Sequence, residues 1–261
     1  MSLSRLSLLA ALAVLALSPA FGQSSTPTPM PADAHPSFEV ATIKPSDPDA
    51  RNQNTQWNSH HIRMQNATVK GLIWFAYGVH YKQISNDPEW LDKDHYDIDG
   101  IPDKEGQASL RQYQEMIQKL LADRFSLKFH REKRELPVYA ITLAKGGSKL
   151  TKSTRDPNGL PNDYGDRQGN WQGRRFENVS IADFALDMQD MMDRPIVDQT
   201  GLTGKYDFAL HWTPDNVELT DPNAPPGLFT AMQEQLGLKF EPVKAPVDVI
   251  VIDHVDRPSA N

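Results

Sequence analysis

The sequence contains no cysteine. That excludes disulfides, a thiol nucleophile, a cysteine-ligated metal and a lipoprotein anchor, so stability has to come from a packed core. Beyond the first residues it also lacks any apolar run long enough to cross a membrane as a helix. Positive charge is in deficit, with 27 Lys and Arg against 34 Asp and Glu, so the chain is not built to track a phosphate backbone, and no nucleic-acid partner is expected. The usual signatures of chemistry are missing too. There is no Gly-x-Ser-x-Gly, Ser-x-x-Lys or His-Glu-x-x-His, and no glycine-rich phosphate loop follows a strand.

What is present begins with "MSLSRLSLLAALAVLALSPAFGQSS". Arg5, an apolar run from Leu6 to Leu17, and small Ala20 and Gly22 before Gln23 read as a secretory signal peptide over 1–22. The expected location is therefore secreted or periplasmic, with no transmembrane segment after cleavage. Residues 23–37, rich in Pro, Ser and Thr, read as a flexible lead-in.

The chain then repeats itself. Ile117 onward, "IQKLLADRFSLKFHREKRELPVYAITL", aligns without a gap to Leu228 onward, "LFTAMQEQLGLKFEPVKAPVDVIVIDH", 111 residues later. "NATVKGLIWFAYG" from Asn66 answers "NVSIADFALDMQD" from Asn178, and Tyr96-Asp97 answers Tyr206-Asp207, in the same order in both halves. This predicts an α+β fold of two tandem similar modules, each a small mixed sheet with two helices. The first module spans 38–145 and the second 170–261, with 146–169 as a linker loop.

Within each module the period decides the elements. Strands are expected at 38–46, 61–66 and 96–101, and at 171–178, 194–198 and 206–212. Helices are expected after Thr68, over Leu110–Phe125, after Ser180 and over Leu228–Leu236. Ser180 and Asp183 form a capping box. "SLKFHRE" with "LPVYAITLA", and "LKFEPV" with "VDVIVIDHV", read as closing hairpins. Asn66-Ala67-Thr68 and Asn178-Val179-Ser180 fit the glycosylation sequon, but Thr68 and Ser180 stand where a helix needs its cap.

Candidate sites are sparse. His60-His61 with Arg63 is the one histidine cluster, and neighbours on a strand face opposite ways, which is poor for a metal. Asp97 and Asp99 share a face, but Ala209 replaces the second acid in the repeat, so no metal site and no cofactor are expected. The repeated Tyr-Asp pairs read as a packed tyrosine beside a structural aspartate. Trp57, Trp171, Arg174 and Arg175 are the places to look for a binding surface, since aromatics beside arginine recur in interfaces.

The stretches "PSFEVATIKPSDP", "LLADRFSLKFHREKRELPVYAITLAKGG", "RPIVDQTGLTGKYDFALHWTPD" and "VIDHVDRPSAN" resemble an uncharacterised soil-associated Acidobacterial protein family, a domain of unknown function. The resemblance covers most of 36–261 and brings no catalytic residue with it. Some members look fused to antibiotic-sensor-type membrane metallopeptidases, which implies a sensing or binding role outside the cell. Each half also looks like the small α/β modules at the N-termini of secretins and TonB-dependent receptors, which implies an interaction module. The leading expectation is a non-catalytic binding or interaction protein of the cell envelope, its partner an envelope protein or a small ligand. The alternatives are an extracellular hydrolase with a His/carboxylate site and the detached sensor domain of a receptor.

Overall fold

The computed structural model describes residues 28–258 apart from 59, 160, 168, 170 and 218–220. The signal-peptide reading therefore lies outside the described residues. Among the described residues the fold is mixed α+β, with twelve strands in three four-stranded sheets and five helices, and no helix is long and apolar enough to cross a membrane.

The first sheet is antiparallel, in the order β1 (Phe38–Pro45), β5 (His95–Pro102), β3 (Ile62–Thr68), β2 (Asn54–Trp57). The third is also antiparallel, in the order β7 (Thr151–Lys152), β11 (Tyr206–Trp212), β9 (Gln172–Val179), β8 (Asn162–Gly165). In each, the strand carrying the Tyr-Asp pair is central, and an Asn-bearing strand beside it runs into a helix: α1 (Val69–Tyr77) after β3, α4 (Ile181–Gln189) after β9.

The entry to both helices is built alike. Asn66 and Asn178 take φ of 57° and 58°, a left-handed conformation that Asn tolerates better than most side chains. Each sits at a break in strand register, and the turned-out amide donates to an aspartate: Asn66 N–H to Asp97 Oδ1 at 3.0 Å, Asn178 N–H to Asp207 Oδ1 at 2.7 Å. Tyr96 and Tyr206 beside those aspartates are buried, as the sequence predicted. Thr68 accepts the Gly71 amide, and Ser180 exchanges hydrogen bonds with Asp183 in the expected capping box. Both sequon asparagines are buried, so capping and the bulge account for the motif.

The middle sheet joins the two halves. Its core is a ribbon of two long antiparallel strands, β6 (Lys128–Leu143) and β12 (Leu238–His254), flanked by β10 (Ile196–Asp198) parallel to β6 and β4 (Ile84–Ser85) parallel to β12. Here the structure corrects the expected closing hairpins: each pair of stretches is one continuous strand. Charged Arg131, Lys133 and Glu135 and the prolines 137, 242 and 246 resemble turn chemistry. They fall instead in the ribbon's exposed middle, where β4 and β10 do not reach. Proline is tolerated at such open edges, and alternate charged residues face solvent.

Packing follows from that ribbon. One core gathers α1, α2 (Trp90–Lys93) and α3 (Leu110–Arg124) and takes in Ile250 and Ile252 from β12. The other gathers α4 and α5 (Leu228–Ala231), which continues as one wide π-turn to Leu236, and takes in Ile141 from β6. Val138, Val247 and Val249 pack on the ribbon's opposite face, so the stretch Val247–Ile252 has apolar side chains buried on both of its faces.

Two further expectations change. The supposed linker 146–169 supplies β7 and β8 to the third sheet, because its Gly, Asn and Asp residues mark turns between short edge strands. From residue 28 the lead-in is docked. Met30 is buried in the first core, its amide bonds to Gln107 O at 2.8 Å, and Gln112 Nε2 donates to Pro31 O at 2.7 Å.

Candidate functional site

The first feature able to hold a ligand is a pair of clefts on either side of the loop between β1 and β2. One, about 570 Å³, is lined by Asp47, Ala50, Asn52, Gln53, Asn54, Gln65, Asn66 and Asp97. The second, also about 570 Å³, shares Asp47, Ala50 and Asn66 and reaches His95, Asp94 and Arg257. The floor is fixed by the bulge: Asn66 Nδ2 reaches Ala50 O at 3.3 Å, and Asp97 Oδ1 takes both the Asn66 amide and the Ser46 hydroxyl, the latter at 2.7 Å. Burial would raise the Asp97 carboxyl, but those two hydrogen bonds and the charges of Lys44 and Arg63 hold it below the usual carboxylate range. It is an ionised acceptor, not a proton donor. Five carboxamides and two carboxylates line the first cleft, with no cationic side chain among them.

At the matching place in the third sheet Asn178 Nδ2 donates to both Asp156 O at 2.8 Å and Gly159 O at 3.1 Å, where Asn66 Nδ2 makes one longer bond to Ala50 O.

The second feature is a carboxylate pair. Arg174 on β9 binds Asp163 on β8 and lies 2.7 Å from Asp187 Oδ2 on α4. That Asp187 oxygen is buried and out of line for a hydrogen bond. Burial, opposed by Arg174 and reinforced by Asp163 and Asp190, pushes Asp187 up to about 7. Asp187 lines neither cleft.

The residues singled out from sequence scatter. Trp57 is half-buried and packs its ring 5.1 Å from Phe75 and 4.6 Å from Tyr113, part of the first core's packing. Trp171 is half-buried just ahead of β9. Arg174 belongs to the carboxylate pair. Arg175 is exposed, with Tyr164 and Ala209 as its strand neighbours. The equivalent Arg63 is held by Asp99, which also binds His61; Ala209 removes that partner from Arg175. Among the described residues no cluster of three His, Asp or Glu is placed to hold a metal. The cleft residues Asn52, Gln53, Asn54 and Gln65 were missed because neutral amides, two on a loop and two facing each other across β2 and β3, look like any solvated polar positions. Asp187 was missed because it occupies a polar position on an amphipathic helix.

These features define a mixed α+β protein with an open polar cleft at a loop and no histidine or raised carboxyl in its amide-lined part. The chain belongs to a family of proteins of unknown function, DUF3738, whose model matches residues 70–255. No curated protein and no solved structure matches it.

Proposed function

We propose that this is an extracytoplasmic binding protein whose cleft beside Asn66 takes a small, hydroxyl-rich, non-anionic ligand. The observation that carries this is the lining. Carboxamides both donate and accept, which suits hydroxyl groups. Two carboxylates without a cation disfavour an anion. The volume falls within the usual range for small-ligand sites, roughly 300–1,000 Å³. The signal-like N-terminus supports a secreted or periplasmic location. The repeat supports an ancestral duplication into two similar modules. The 111-residue offset carries Glu135 onto Pro246, and those two residues are partners in the β6–β12 register, as a two-fold relation between the halves requires.

The test is a thermal-shift and calorimetry panel of neutral polyols, amines and dicarboxylates against the wild type and the double variant Asn54→Leu, Gln65→Leu. Binding of a polyol that the variant loses supports the reading. A preference for dicarboxylates, or no polyol binding at millimolar concentration, refutes it. The hydrolase alternative has one observation in its favour, the raised carboxyl of Asp187. Hydrolysis of ester or glycoside substrates that disappears in Asp187→Asn would favour it.

A further inference from the structure

His80 stands where the two halves of the chain touch. It is almost fully buried, at 4% exposure, and both ring nitrogens are engaged. Nδ1 faces the Lys82 backbone amide at 3.0 Å, and Nε2 faces the Met192 carbonyl at 3.2 Å. An amide can only donate and a carbonyl can only accept, so the partners fix the ring as neutral, with its proton on Nε2.

The contact extends on both sides. The His80 amide donates to Gln83 Oε1 at 2.9 Å, closing a capping box on the short 3₁₀ turn Tyr81–Gln83. Gln83 Nε2 then donates to Asp248 O at 2.8 Å, and Ile84, next along the chain, pairs with Ile250 on β12. One imidazole therefore ties the end of α1's turn, the loop after α4 and the attachment of β4 to β12 into a single chain of hydrogen bonds.

We propose that His80 is a proton-operated latch between the two halves. Neutral, it caps the 80–83 turn and holds the Met192 carbonyl. A proton from solvent on Nδ1 sets two donors, the new N–H and the Lys82 amide, against each other. The cap is lost, and the turn leading into β4 loosens.

The surrounding charges are mixed. Lys82, on the same turn, opposes the added charge, whereas Asp190 and Asp193 beyond α4 favour it. Burial outweighs them, and the imidazole is held below its ordinary value of 6.5. The Tyr81 ring meets His80 edge-on, and Asp248 on β12 has its carboxylate engaged by Lys133. The sign follows. A histidine whose folded-state value is depressed adds stability that is complete above pH 6.5 and declines as the pH falls below it.

The test uses the whole chain. NMR titration of the His80 ring should give a midpoint below 6.5. Hydrogen exchange, corrected for its intrinsic pH dependence, should show the Lys82 amide and the β4 amides losing protection by about tenfold per pH unit between 6.5 and that midpoint and levelling off below it, while α3 amides hold theirs. In His80→Asn, whose side-chain oxygen can still cap the turn but does not titrate there, that acid-dependent loss should vanish. A ring midpoint at or above 6.5, or Lys82 protection unchanged between pH 7.5 and 4.5, overturns the proposal without recourse to the variant.

Discussion

Replacing Asp187 by Asn should stabilise the protein at pH 8 and do nothing at pH 4. The carboxyl shares Arg174 with Asp163, sits under α4, and is pushed from an ordinary 3.8 up to about 7, chiefly by burial. A carboxyl raised in the folded state adds stability that is complete below about pH 4 and is lost as the pH rises to 7. At about 1.4 kcal/mol for each tenfold change, the full displacement corresponds to roughly 4 kcal/mol. This is a ceiling, because the side chain retains 26% exposure and Arg174 loses one of its two partners on substitution. Asn keeps the shape and cannot ionise, so the expected gain is about 1–2 kcal/mol at pH 8. Urea melts of both proteins from pH 4 to 8 measure it as a shift in midpoint at constant slope. The gain should open between pH 4 and 7 and then level off. A variant less stable than wild type at pH 8 would mean that the charged pair with Arg174 is net favourable, and a gain of equal size at pH 4 and 8 would mean that ionisation is irrelevant. Either result sinks the argument.

Other substitutions probe the frame. Gly237→Ala should cost more than about 3 kcal/mol in denaturant melts, since Gly237 holds φ at 65° and an added Cβ would stand 2.0 Å from Gly147 O. Asn178→Ala should cost about 2–3 kcal/mol, combining strain at a left-handed position with the loss of two buried hydrogen bonds; Asn66→Ala, with one longer bond, should cost less. Ser180→Ala should cost about 1 kcal/mol through the lost cap, read from the same melts. Secretion from a glycosylating host should leave both sequons unmodified by intact-mass measurement, because Asn66 and Asn178 are buried in their bulges.

The elements set by local chemistry were legible in the sequence. The caps at Thr68 and Ser180 and the buried stripes of α1, α3 and α4 depend on residues within a few positions of one another, and the Tyr-Asp pairs, whose aspartates accept from Asn66 and Asn178 some thirty residues away, stood out because they repeat. What was illegible depends on distant partners. No local signal tells that Arg131–Glu135 runs straight on through Pro137, because the reason is a strand more than a hundred residues away. Met30 could not be placed in a core from a Pro-rich stretch whose docking surface is α3 and the Gln107 segment. The cleft was hidden for a related reason: carboxamides acquire meaning only when a bulge on one strand and a loop from another close around a space. Arg174 was singled out beside an aromatic, but its partners come from another strand and a helix.

The β6–β12 ribbon also dictates an order of events during synthesis. The core around α1 and α3 is unfinished until Ile250 and Ile252 arrive, and the core around α4 borrows Ile141 from a strand made long before. A nascent chain that has emerged only to residue 145 holds β6 with no partner along its length, a sixteen-residue edge open to pairing with a neighbouring chain. Folding therefore cannot proceed one half at a time. It waits for the last strand, and with pairings this far apart in sequence the rate is set by chain closure more than by helix formation. The interval before closure, while β6 lacks its partner, is when the protein is most exposed to aggregation.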